Sequence, residues 1–291
     1  ALRLPWGRFL RKGAMVEIKV TCRRSRLMHS GRIAATLEDA IDKAVGLEAE
    51  AGRGPVQLLL ARMVDDELCL SVDSSGELLH RRGYRRAVTR APLRETLAAG
   101  VLRLLDWQPG TLLADPMCGT GSFILEAAML AAGRAPGLGR DYAFQNWPGF
   151  RTGLWQHLCS EADRSQVPVN GELAGADLDA TAIAAAAANL AGLGLDGNIS
   201  FVQCSLADQP VHRGPGLVVS NPPYGHRLKP EGSLHQFYRH LGRDLVSSYP
   251  GWRCALLCPR EDLVQATGLD FRKVADLDNG GLEVGLYVAG G

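Results

Sequence analysis

Residues 112–122, "LLADPMCGTGS", open as a short apolar run, put an acid at its end, and pass through two glycines into a second apolar stretch. The spacing predicts a strand, a glycine loop and a helix: Gly119 and Gly121 let backbone approach a ligand closely, and the first helical turn leaves N–H groups free. In an open α/β sheet ligands bind at this place, beyond the carboxyl ends of the strands. A dinucleotide fingerprint is excluded. Ile124 stands where the third glycine of G-x-G-x-x-G would fall, and Asp115 would repel a pyrophosphate.

Working outward, the same alternation recurs. Helix 93–105 precedes the strand, helix 122–132 follows it, and then come strand 172–177, helix 181–191, strands 199–204 and 216–221, helix 234–247 and strand 254–258. Strands separated by helices predict parallel pairing in a doubly wound α/β sheet. Residues 271–290 hold two strand-like runs about Asn279-Gly280-Gly281, which predicts an antiparallel hairpin at one edge. Upstream, strand-like runs at 15–22, 56–64 and 67–75 with a helical pattern at 36–51 predict a small α+β unit. The run 80–94 carries six arginines and no acid and is expected to be the linker, interrupted by Pro92. Residues 133–171 form an insertion with Phe144, Trp147, Phe150 and Trp155 among Arg134, Arg140 and Arg151. Stacking on nucleic acid is one reading of those rings. A satellite core capping the sheet is the preferred one.

The strand ends carry the chemistry. Asp115 suits a cation, and fits the ammonium and sulfonium of S-adenosylmethionine. Asp177 ends the next long strand, where an acid accepts both hydroxyls of a ribose; Asp179 is expected to cap the helix that follows. "VVSNPPYG", residues 218–225, ends a third apolar strand in two prolines, which cannot donate to a sheet and stiffen the chain. An exocyclic amine on a base is a poor nucleophile, because its lone pair is delocalised into the ring. The Asn221 side-chain oxygen and the Pro222 carbonyl can accept its two N–H bonds and draw that lone pair out, with Tyr224 stacked on the base. Asn221, Pro222 and Tyr224 are therefore the expected catalytic residues.

Composition sets the class. At 46% hydrophobic and 22% charged over 291 residues, the chain has material for two ordinary cores and is not disordered. No membrane span or secretory signal is visible, and a cytoplasmic location is expected. Seven single cysteines with no CxxC pair indicate neither a disulfide framework nor a zinc site, so no metal is expected. Cys254 and Cys258 are read as core residues. The net charge of +1 hides an asymmetry: residues 1–100 carry 18 Lys/Arg against 12 Asp/Glu, and residues 1–32 carry nine basic residues and one acid, Glu17. A polyanion partner is expected at the front end.

The stretches "DSSGELLHRRGYR", "APLRETLAAGVL", "DPMCGTGSFILEAAMLA", "RAPGL", "SNPPYGHRL" and "DNGGLEVG" closely resemble the bacterial THUMP-domain methyltransferases that make N2-methylguanine in 23S rRNA, the large-subunit rRNA methyltransferase L family. The resemblance implies a THUMP RNA-binding domain over residues 1–88 and a Rossmann-like, class I S-adenosylmethionine-dependent methyltransferase domain over 89–291. By position it implies that Thr96, Asp115, Pro116, Cys118, Gly119, Gly121, Asp177, Leu178, Ser205 and Asn221 hold the cofactor. Ser205 stands where relatives have an Asp for the adenine amine, with Asp208 three residues on. Arg81, Arg82, Tyr84, Arg85 and Arg86 are expected to touch RNA, either 23S rRNA or a large-subunit precursor. The chain begins without Met and joins the family pattern partway, so a further amino-terminal piece is expected; a second catalytic domain, and with it 7-methylguanine formation, is not. The Asn-Pro-Pro-Tyr motif also serves adenine-N6 enzymes, a tRNA guanine-N2 enzyme has similar architecture, and an RNA-binding assembly factor without turnover is the reading from a different class.

Overall fold

The computed structural model describes residues 2–47, 55–86, 93–212, 214–225 and 233–290. The middle of the expected linker with Pro92, the end of the first expected helix, and His226 to Leu228 after the Pro-Pro loop lie outside the described residues. The chain divides into two compact units, residues 1–79 with 139–160, and residues 80–138 with 161–291.

In the first unit, strand β1 (Met15–Arg23) runs parallel to β2 (Val56–Val64), joined through helix α1 (Ser30–Val45); β3 (Glu67–Val72) returns antiparallel to β2. The helix starts six residues before the expected Thr36, because the His29 ring accepts the Arg32 N–H and caps it. The β2–β3 turn places Asp65 and Asp66 at positive φ, where short acids are tolerated. Both turn carboxylates pair outward, with Arg24 and Arg26. Trp6, Leu10, Ile41 and Leu59 form this unit's core. The aromatic insertion belongs here and does not cap the α/β sheet. Phe144 packs edge-on against Trp147 and Trp155, Phe9 lies 4.9 Å from Trp147, and Trp147 Nε1 donates to Gln57 Oε1 at 2.8 Å. The half-buried rings pack on one another and on Phe9, a satellite cluster as preferred, but in the first unit and not on the α/β sheet as expected. Helix α4 (Thr152–Arg164), which the sequence reading leaves as loop, starts in this insertion.

The second unit is a doubly wound sheet. Strands β4 (Leu112–Asp115), β5 (Val169–Asp177), β6 (Gly197–Gln203), β7 (Gly216–Ser220) and β8 (Arg253–Cys258) are parallel, and the order across the sheet is β6-β5-β4-β7-β8-β10-β9. The hairpin of β9 (Arg272–Asp278) and β10 (Glu283–Ala289) is as expected about Asn279-Gly280-Gly281, but β10 slots between β8 and β9, antiparallel to both. Helices α2 (Glu95–Leu104), α3 (Ser122–Ala131), α5 (Ala180–Leu193), α6 (Leu234–Ser248) and α7 (Glu261–Gln265) complete it.

Period-two alternation assigns side chains to the two faces. Leu217 and Val219 of β7, with Ala255 and Leu257 of β8, join the core that holds α2 and α3. Val218, Cys254, Leu256 and Cys258 point the other way, into the core with Tyr238, Leu241 and Leu245 of α6. Both faces are covered, which is why these strands read as unbroken apolar runs. Cys254 and Cys258 are core residues, as read. Helix α3 is buried on all sides, Glu126 included, as a helix apolar nearly all round must be. Asp179 caps α5 through the Thr181 N–H at 2.8 Å, and Gly194 closes it in the left-handed region.

Candidate cofactor and methyl-acceptor site

Four neighbouring parallel strands deliver their functional residues to one edge of the sheet. Asp115 ends β4, Asp177 ends β5, Ser205 follows β6, and Asn221 follows β7. The glycine loop closes over β5. The Cys118 N–H donates to the Ala176 carbonyl at 2.8 Å, and the Gly119 N–H to Asp177 Oδ2 at 2.8 Å. The other Asp177 oxygen accepts the Asp179 N–H at 3.0 Å, so the carboxylate is held in one orientation with lone pairs left for a ligand. Gly121 has φ +84°, and a Cβ there would lie 2.8 Å from the Phe201 ring; a Cβ on Gly175 would lie 2.6 Å from it. Only glycine fits under that ring. Pro116 and Cys118 are buried in the loop, while Leu178 is 72% exposed beside Asp177.

Asp115 is 3% exposed and accepts the Ser220 hydroxyl at 2.8 Å and the Met117 N–H at 3.2 Å. Burial pushes its carboxyl up to about 7, against the pull of those two hydrogen bonds, and the charge on Asp177 adds to the rise. Two acids side by side at a strand edge form a place for a cation. The Asn221 side-chain oxygen is buried and has no hydrogen-bond partner among the described residues. An orphaned buried acceptor costs roughly 1–3 kcal/mol, which a donor on a bound molecule would recover. Ser205 caps a short 3-10 turn through the Asp208 N–H at 3.2 Å, and its hydroxyl bonds Asp208 at 2.5 Å. Thr96 lies exposed in the first turn of α2.

Two expected surface features turn inward. Tyr224 is 7% exposed and packs into the core of Tyr238 and Leu241, so it braces the Pro-Pro loop from within. Of the arginine run, the Arg82 and Arg85 side chains are 12% exposed, pairing with Glu126 at 3.2 Å and Glu95 at 2.8 Å, and the Tyr84 hydroxyl lies on Glu126 at 3.1 Å. These three side chains are spent on the fold because Glu126 and Glu95 are buried and need counter-groups. Arg81 and Arg86 remain on the surface. The expected linker is thus, over residues 80–86, part of the second unit. The sequence reading missed Ser220, Glu95, Glu126 and Asn189. Lone polar residues inside "FILEAAML" and "AAAANLAG" were the available signal, since buried polar groups require partners.

The strand order, the glycine loop and the two acids define the Rossmann-like fold of methyltransferases that use S-adenosylmethionine, and the residues present fit that cofactor: a cradle that only glycine leaves open and an acid pair suited to its cationic end. The profile of the family described as RMKL-like methyltransferase domain (UPF0020) matches residues 82–285, and the chain belongs to that family. Among curated relatives, the Ribosomal RNA large subunit methyltransferase K/L of Cellvibrio japonicus is 42% identical over 79% of this chain and 32% of its own length. The protein of that name from Chromohalobacter salexigens is 36% identical over 99% of this chain and 42% of its own. The chain therefore spans about a third to two fifths of the curated relatives it matches. Among solved structures, SMU.472, crystallised as a complex with SAH, superposes with a TM-score of 0.88 at 29% identity over all of this chain and 78% of that one. A protein from Listeria monocytogenes described as a predicted N6-adenine-specific DNA methylase gives 0.86 at 30% identity, over all of this chain and 77% of that one.

Proposed function

We propose that this chain transfers a methyl group from S-adenosylmethionine to the exocyclic N2 amine of a guanine in 23S rRNA. The observation that carries the amine is the buried Asn221 oxygen, unpartnered among the described residues, in the residue that precedes Pro222; the names of the curated relatives support ribosomal RNA. When bound, S-adenosylmethionine supplies an electrophilic methyl on a sulfonium. Asn221 and Pro222 accept the two N–H bonds of the amine and favour a pyramidal nitrogen; the C–N bond forms as the C–S bond breaks, and the extra proton on nitrogen leaves to solvent. The rigid loop, with Tyr224 packed beneath it, keeps both acceptors in register. The first unit is proposed to be a THUMP RNA-binding domain, on the strength of the basic excess in residues 1–32. In the second unit, Arg81 and Arg86 are the exposed side chains of the arginine run proposed to touch RNA.

An adenine-N6 acceptor is the second reading, favoured by the name of the Listeria structure. Methylation of 23S rRNA and tRNA from a strain lacking the gene, followed by digestion and mass spectrometry of nucleosides, separates the readings. N2-methylguanosine in the large-subunit rRNA alone is the expected product. N6-methyladenosine, or methylation of tRNA, would replace the proposal.

A further inference from the structure

We infer that Arg85 is a positioning residue for the cofactor: its guanidinium ties the glycine loop to the start of α2, so that the loop is shaped before any ligand arrives. The inference rests on the reading of that loop as the S-adenosylmethionine cradle, not on which base is methylated.

The contacts are specific. Arg85 Nε donates to Glu95 Oε1 at 2.8 Å, one terminal nitrogen donates to Thr120 Oγ1 at 3.3 Å, and the other donates to Ser122 Oγ at 3.0 Å and to the Leu93 carbonyl at 3.2 Å. Ser122 Oγ itself donates to the Leu93 carbonyl at 3.0 Å, closing the ring. One planar fork thus reaches both sides of the loop's second glycine and both sides of the residue that caps α2. The next residue grips the loop from another direction. The Arg86 N–H donates to Asn189 Oδ1 at 2.8 Å, and Asn189, fully buried on α5, reaches back to the Thr120 carbonyl at 3.4 Å.

The loop needs this support. Gly121 caps α3 with no side chain, so the helix start is not fixed by a capping bond of its own. The N–H groups of the first turn of α3 are what a ligand would use, so rigidity must come from groups that leave them free. A guanidinium offers five donors in a fixed plane, whereas an ammonium is a point charge on a flexible stem. Lysine could keep the Glu95 pair and could not hold all four acceptors.

The neighbouring Arg82–Glu126 pair supplies a matched control. It is equally sequestered, with side chains 12% and 3% exposed against 12% and 5% for Arg85–Glu95, and among the described residues it makes no hydrogen bond to the loop's Thr120 or Ser122. The test compares R85K and R82K in the full chain, with S-adenosylhomocysteine as the probe, by titration calorimetry, thermal melting and amide hydrogen exchange. Both variants are expected to melt lower. R85K alone is expected to lose about tenfold or more in affinity, the scale of one hydrogen bond to a charged group, and to speed exchange at residues 119–123. If R85K does not fold, S122A removes one loop-side acceptor and is expected to weaken binding several-fold without lowering the melting point as far. Wild-type affinity in R85K, or an equal loss in R82K, would overturn the positioning role. Failure of the wild-type protein to bind the probe would overturn the cofactor reading beneath it, a result that neither variant can mimic.

Discussion

At the scale of single residues, Asn221 and Asp115 make opposite demands. The Asn221 acceptor is used only as the amine becomes pyramidal, so its loss should lower turnover far more than binding. Asn221→Ala is expected to cost on the order of 10²- to 10³-fold in kcat, about 2.7–4 kcal/mol, in single-turnover methylation with both substrates saturating. Asp115 is a pH-sensitive group. With its carboxyl raised to about 7 by burial, the empty protein prefers it protonated. The groups around it do not reverse this: Ser220 and Met117 donate to it, Asp177 repels its charge, and burial keeps the Cys118 and Tyr249 groups protonated. A raised folded value gives stability that is full below the ordinary carboxylate value of about 4 and is lost as pH climbs through about 7. A cationic ligand reverses the preference. Affinity for S-adenosylmethionine, whose sulfonium is positively charged, should therefore rise from pH 5.5 to 7.5 with proton release, seen as buffer-dependent binding heats; in Asp115→Asn the binding should be weaker and flat with pH.

At the scale of elements, α3 poses the sharpest energetic question, because it buries Glu126 on an otherwise apolar helix. Burial raises the Glu126 carboxyl, while Arg82 and the Tyr84 hydroxyl pull it back down. Removing one partner of such a pair leaves a buried charge, so Arg82→Ala is expected to cost about 3–5 kcal/mol in urea unfolding at pH 8. The cost should shrink as pH falls, because burial raises the Glu126 carboxyl and, with the guanidinium gone, it takes up a proton more readily. Replacing both partners with apolar residues of similar volume should cost less than the single change. If Arg82→Ala unfolds like wild type, the pair is not holding α3.

At the scale of the whole molecule, the first unit is discontinuous, and residues 139–160 fold with residues 1–79. Removing residues 1–79 should therefore strand Phe144, Trp147, Phe150 and Trp155 without Phe9 and Gln57. The fragment 80–291 is expected to bind a hydrophobic dye and aggregate, and replacing 139–160 by a short polar linker should restore a soluble, cofactor-binding domain. A monomeric, dye-silent 80–291 fragment would show that those rings have other cover.

What the sequence determined by itself is what repeats over short distances. Unbroken apolar runs between helices dictated a covered parallel sheet, the acid closing each of two runs marked the ligand edge, and Asp179 and Asn279-Gly280-Gly281 placed a cap and a turn, because backbone preference and period act within a few residues. The tertiary structure alone decided where the aperiodic polar residues go. Arg86 meets Asn189 at a separation of 103 residues and Trp147 meets Gln57 at 90, distances over which no periodicity carries information. Six arginines within residues 80–94, without an acid, read as a linker, four of them expected to touch RNA. Two of them are instead drawn inward, because a carboxylate buried on α2 and another on α3 cost more unpaired than a guanidinium costs to bury beside them.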